Sequence, residues 1–185
     1  EKVKQAAQHL IANKGKSILF VGSNDRNMQL MAIAINQALG NYGKTIDKDH
    51  VINLKQGDDN QLKSLVADLN SGSVDALIVD GVNPAYSLPT ELNFAEAMAK
   101  AKMSVVFASR ANQTTAAATH IAAANHYLES WNDHNPQLGV YSLTQPTISP
   151  LFDTRQMQDC LLKWMGEDQS YYEFIRNTWM QTSGM

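Results

Sequence analysis

The segment Ala76–Ala108, ALIVDGVNPAYSLPTELNFAEAMAKAKMSVVFA, carries the reading that decides the fold. Its two ends, Ala76–Val79 (ALIV) and Met103–Ala108 (MSVVFA), are short apolar runs without polar alternation, as strands buried on both faces should be. Between them, Asn93 and Glu96 have the spacing of a capping box, and Phe94, Ala97, Met98 and Ala101 recur with helical period. A strand, a helix and a second strand in this order form a crossover unit, and such connections are right-handed and join parallel strands.

The same alternation extends outward. Ser17–Val21 (SILFV) and Val51–Leu54 (VINL) read as two more buried strands, which predicts parallel pairing among four. After the first of these, Asn24 or Asp25 can cap a helix carrying Met28, Met31, Ile35, Ala38 and Leu39, ended by Gly40 or Gly43. Asp58 and Gln61 open a helix with Leu62, Leu65, Val66 and Leu69 on one side before Gly72. Ser170 and Glu173 open a last one, with Tyr171, Phe174, Ile175, Thr178 and Trp179 on one face. The expected fold is therefore α/β, a three-layer doubly wound sheet, mostly parallel and Rossmann-like. At 185 residues a single domain over 1–185 is expected. The stretch 125–155 holds Pro136, Pro146 and Pro150 and one short strand candidate, Tyr141–Thr144, so most of it reads as loop, and loops of that length are usually functional or interfacial.

Composition narrows the function. Fifteen Lys and Arg against 18 Asp and Glu leave a net charge of -3, with no basic stripe of the kind a nucleic-acid groove requires. No apolar run approaches the roughly 20 residues that span a bilayer, so no direct membrane insertion is expected. Hydrophobic residues make up 44% and charged residues only 18%, which is ample for a core. The chain opens at Glu1 in helix-forming sequence without a leader pattern, and reads as a piece of a longer, multidomain subunit.

In an open α/β sheet ligands sit beyond the carboxyl ends of the strands. Two turns qualify. Gly22-Ser23-Asn24 offers a small residue and helix N-terminal amides to an oxyanion or phosphate. Gly81-Val82-Asn83-Pro84 offers close backbone approach and an amide for a polar ring or ribose. Both are equally the Gly/Asn/Pro chemistry of ordinary turns, and neither matches G-x-G-x-x-G. Asp80 and Asp25 fall where a phosphoacceptor site would have its acids, but Ser109 and Arg110 stand where its Lys should be. His126, Glu129, Asp133 and His134, with His120, lie close in sequence but not in a known zinc spacing, and read as a polar loop in which Glu129 pairs locally. Cys160 shares a helix face with Met157, Leu161 and Trp164 and reads as a structural thiol. No Gly-x-Ser-x-Gly elbow occurs, so no catalytic residue is assigned.

Ala76–Pro89 and Met103–Trp131 together resemble the third, dinucleotide-binding-like domain of molybdopterin oxidoreductases. Gly81, Asn83 and Pro84 occupy the family's Gly-x-Asn-Pro turn, and Thr115, Ala116 and Glu129 the places of its Thr-Ala-rich stretch and later glutamate. Gly139–Gln156 (GVYSLTQPTISPLFDTRQ) resembles one branch of that family, the molybdopterin-oxidoreductase-like iron–sulfur subunit of bacterial alternative complex III, a quinol-oxidising respiratory complex. Catalytic relatives read Ala-Asp-x-x-Leu-Pro ahead of the glutamate, whereas this chain has Thr119-His120-Ile121-Ala122-Ala123-Ala124-Asn125.

The resemblance implies a non-catalytic scaffold domain on the periplasmic side of the bacterial inner membrane. Its partners would be other domains of the same chain and subunits of a membrane-bound respiratory complex. Iron–sulfur clusters would lie elsewhere in the full-length protein, since one cysteine cannot hold one; neither cofactor nor metal is expected in this piece. The alternative it implies is an active domain binding the guanine nucleotide arm of molybdopterin guanine dinucleotide through Gly22, Ser23, Asn24, Gly81, Asn83 and Pro84, residues that would otherwise be vestiges of that site. Tyr127, Leu128, Trp131, Tyr141, Leu151 and Phe152 exceed what a solvated loop needs, and are expected to leave a docking surface partly exposed.

Overall fold

Parallel pairing is what the central segment produces. The computed structural model describes residues 1–54 and 57–183. They form two compact units, Glu1–Lys55 with Asn135–Tyr141, and Gln56–His134 with Ser142–Met185.

In the first unit, α1 (Lys2–Ala12) and α2 (Arg26–Ala38) flank the extended segment 17–21. Asp25 caps α2 by accepting from the Met28 N–H at 2.9 Å, the local pattern that its position before the periodic run predicts. Ser17–Val21 is not a ladder strand, contrary to the sequence reading. The reason is the buried side chain of Asn36, whose Oδ1 accepts from Leu19 N–H and whose Nδ2 donates to Leu19 C=O, both at 2.9 Å. One amide thereby satisfies the residue that a neighbouring strand would otherwise pair. Asn36 also accepts from Asn41 Nδ2. The buried line of α2 is Ala32 and Asn36, continued by Leu39, whereas the expected stripe of Met28, Met31 and Ile35 stays exposed. Val51–Leu54 is also corrected: Ile52 makes only an isolated antiparallel bridge to Gln137, flanked by Asn53 N–H to Pro136 C=O and Leu138 N–H to Val51 C=O.

The second unit holds the α/β core. Helix α3 (Asp59–Ser71) begins at Asp58, whose carboxylate accepts from Asn60 and Gln61 N–H, and ends at Gly72 in the left-handed conformation. It leads to β1 (Ala76–Asp80), then α4 (Pro84–Ser87), α5 (Phe94–Met98) and β2 (Met103–Ala108). After α6 (Gln113–Ala116) comes β3 (His120–Ala123), and the parallel sheet has the order β1-β2-β3. Val66 and Leu69 of α3 and Phe94, Ala97 and Met98 of α5 pack with Leu77, Val79 and Val106 on one sheet face. On β2, Phe107 is fully buried with its ring 6.0 Å from Trp164. The register of β2 and β3 is locked by Thr119, whose Oγ1 accepts from Ser104 N–H and donates to Ser104 C=O, both at 2.8 Å.

Three local expectations change. Asn93 precedes α5 but makes no capping bond; it sits at a φ of 44°, a conformation that asparagine tolerates better than most residues. His120–Ala123 is a strand that an Ala-rich sequence concealed. In the stretch read mostly as loop, the strand candidate Tyr141–Thr144 is present as β5 (Val140–Thr144), and it pairs with an unexpected β4 (Asn132–Gln137) across a turn at Leu138 and Gly139, the latter with a φ of 80°. The chain closes with α7 (Met157–Trp164) and α8 (Tyr171–Ser183). The cap read at Ser170 is present in both directions, with Ser170 N–H donating to Glu173 and Glu173 N–H to Ser170 Oγ. Ser170→Ala is expected to cost about 1 kcal/mol, measured by urea unfolding. No helix among the described residues is long and apolar enough to cross a membrane.

Candidate functional site

The carboxyl ends of β1, β2 and β3 meet in a cavity of about 240 Å3 lined by Asp80, Gly81, Ser109, Asn125 and Gln156 among others. This is where an α/β sheet leaves a crevice, because the strands stop together while their connections diverge. Gly81 turns the chain at a φ of 64°, and its N–H donates to Phe107 C=O, tying the turn to the neighbouring strand. Burial pushes the Asp80 carboxyl above its usual range. Asn125 Oδ1 is buried with no hydrogen-bond partner among the described residues. Gln156 Nε2 donates to Trp131 C=O, bracing the wall.

Asn83 does something other than what its motif suggests. Its Oδ1 accepts from Thr114 N–H at 3.1 Å and Thr114 Oγ1 at 2.7 Å, and its Nδ2 donates to Gln113 Oε1 at 2.7 Å. Thr114 is fully buried, and its Oγ1 accepts in turn from Ala85 N–H, one residue past Pro84. Asn83 therefore pins the turn after β1 to the short helix after β2. That helix is self-capped by Asn112 and Thr115, so residues that carry the resemblance, Asn83, Pro84, Thr115 and Ala116, build one braced corner. Pro84 begins α4, where its missing N–H costs nothing.

The Gly22-Ser23-Asn24 turn belongs to the first unit. Ser23 Oγ accepts from Asp25 N–H, and Gln29 Nε2 donates to the carbonyls of Val21 and Ser23. These contacts tie the turn to the first helical turns of α2. Gly22 has open space around its α-carbon, so the turn imposes no demand for glycine there.

The candidate metal residues His126, Glu129, Asp133 and His134 each have a hydrogen-bond partner within the fold. His126 Nδ1 accepts from Leu128 N–H, Glu129 accepts from His126 and Leu151 N–H, Asp133 accepts from Tyr171 and Trp179, and His134 bonds Thr144. The backbone donors hold the Glu129 carboxyl below its usual range, the local pairing that the sequence suggests. Among the described residues no three His, Cys, Asp or Glu side chains are grouped to hold a metal. Cys160 is half-buried, and desolvation raises its thiol pKa, which suits a structural thiol.

Sequence reasoning missed Asn125, Ser109 and Gln156 as lining residues. The missing signal was β3: without a strand at His120–Ala123, nothing placed Asn125 at a strand end. A β-branched run alone could not have marked it, since the strand reads His-Ile-Ala-Ala.

No family model matches the chain. It is similar to the menaquinone reductase, molybdopterin-binding-like subunit of Nitratidesulfovibrio vulgaris strain Hildenborough, with 31% identity over 108 residues. The match takes in 56% of this chain but only 16% of that relative. This likeness supports the relation to molybdopterin oxidoreductases that the turn and Thr-Ala residues suggest.

Proposed function

We propose that the chain is a non-catalytic scaffold domain of a molybdopterin-oxidoreductase-like subunit in a quinol-oxidising or quinone-reducing electron-transfer complex. In this reading it belongs to the alternative complex III branch, lies on the periplasmic side of a bacterial inner membrane, and holds neighbouring domains and subunits in place. Iron–sulfur clusters belong to other parts of the full-length protein. The observation that carries the scaffold role is the commitment of Asn83: the side chain the nucleotide reading needs makes three hydrogen bonds within the fold. The crevice of about 240 Å3 is also smaller than the roughly 300 Å3 at the lower end of small-molecule pockets. Taken together, these features argue against a guanine dinucleotide bound at this crevice.

A second reading, a domain that binds the nucleotide arm of the molybdenum cofactor, is favoured by one observation, the unpartnered buried Oδ1 of Asn125 at the same crevice. Calorimetric titration of the chain with GDP separates the two. No binding is expected up to about 100 μM, an affinity limit near 5.5 kcal/mol. Micromolar binding, or molybdenum found by elemental analysis of the full-length protein, would overturn the scaffold reading in favour of the second.

A further inference from the structure

A larger cavity of about 580 Å3 opens in the second unit beside the crevice, formed where Ser109 and Arg110 follow β2 and the chain returns through 148–154. Its walls are Leu128, Ile148, Leu151 and Phe152, with Arg110 and His126 as the basic side chains. The frame is preformed. Leu128 C=O accepts from both Thr147 and Ile148 N–H, Glu129 grips Leu151 N–H at 3.0 Å, and Arg155 N–H donates to Ala123 C=O at the end of β3. Both Glu129 oxygens are thereby committed to backbone amides. The Arg110 guanidinium, in contrast, makes no ion pair or hydrogen bond with another described residue. His126 spends Nδ1 on Leu128 N–H, which leaves Nε2 as the ring atom free for a ligand.

We infer that this cavity docks a short peptide segment of a partner chain, one in which a large apolar side chain is followed by carboxylates. The apolar side chain enters among Leu128, Ile148, Leu151 and Phe152, and a carboxylate pairs with Arg110. Charge complementarity argues for the acid, because the one uncommitted charge of the lining is a cation whose planar fork matches a carboxylate. Exposure argues for a peptide over a small molecule. Leu151 and Phe152 are 71% and 78% exposed, and a ligand confined to the cavity would leave such a rim wet, whereas small-molecule sites bury most of their occupant. Exposed aromatic and aliphatic side chains ringing a cation are the composition of an interface centre.

This deepens the scaffold reading by giving the partner its chemistry, and although the cavity shares Ser109 with the crevice, the residues tested, Arg110 and Phe152, line only the cavity and the assay uses no GDP, so failure of one assay leaves the other intact. The test is fluorescence polarisation of the chain with a labelled hexapeptide containing Leu-Phe-Asp-Asp and a twin with Asn in place of both Asp. At low salt the acidic peptide is expected to bind at least tenfold more tightly than its twin. Arg110→Gln should reduce that ratio below twofold, and Phe152→Ser should weaken both peptides at least fivefold. Both substitutions fall on exposed side chains, and circular dichroism melts check that each variant folds as the parent does. Equal affinity for the two peptides, a ratio unchanged in Arg110→Gln, or no binding at 1 mM peptide would each overturn the proposal. So would binding of 2-naphthoate with none of the peptide, which would make this a small-ligand pocket.

Discussion

Phe107→Ala is expected to destabilise the second unit by about 3–5 kcal/mol, the range for deleting a fully buried aromatic ring. Phe107 sits on the central strand, has no exposed surface and meets the tilted ring of Trp164. Few atoms can move in to fill the space, because β2 is held on both sides by β1 and β3. The loss therefore combines transfer, cavity and aromatic-pair terms, the last worth about 0.5–1.5 kcal/mol. Urea unfolding followed by tryptophan fluorescence measures it. A loss below about 1.5 kcal/mol would mean that the ring does not close the core and that the sheet face under Trp164 collapses freely.

Asn83→Ala is expected to cost about 2–4 kcal/mol, although Asn83 itself is only half-buried. The penalty falls on Thr114, whose N–H lies in a fully buried residue and loses its acceptor. An unpaired buried group costs about 1–3 kcal/mol, and the Thr114 hydroxyl and Gln113 amide lose partners as well. Asn83→Asp keeps the acceptor for Thr114 and loses only the donation to Gln113, so it should fall between the parent and the alanine variant. If Asn83→Ala unfolds at the same urea concentration as the parent, the turn is not braced by this side chain. Asn83 would then be free to meet a ligand, and the nucleotide reading would gain what the scaffold reading loses.

The α/β class and the parallel pairing of Ala76–Asp80 with Met103–Ala108 were legible in the sequence, as were the ends of α2 and α3 and the cap of α8. These depend on local rules: a buried strand reads as an unbroken apolar run, and a cap needs one side chain within three residues of the N–H groups it satisfies. The resemblance was carried by Gly81, Asn83, Pro84, Thr115, Ala116 and Glu129, and four of these, Asn83, Pro84, Thr115 and Ala116, meet at one corner of the fold. What those residues do there could not be read, because the partners of Asn83 lie 30 and 31 positions away. Tertiary structure likewise decided the fate of Ser17–Val21. Its apolar run is as strand-like as Met103–Ala108, yet a ladder needs a neighbour, and Asn36, 17 residues on, satisfies Leu19 in place of one. The short strands His120–Ala123 and Asn132–Gln137 show the opposite case. Their composition argues against strands, but the backbone groups of β2 and β5 supply the pairing, and hydrogen bonding across chains of contact overrides an intrinsic preference worth only about 1 kcal/mol.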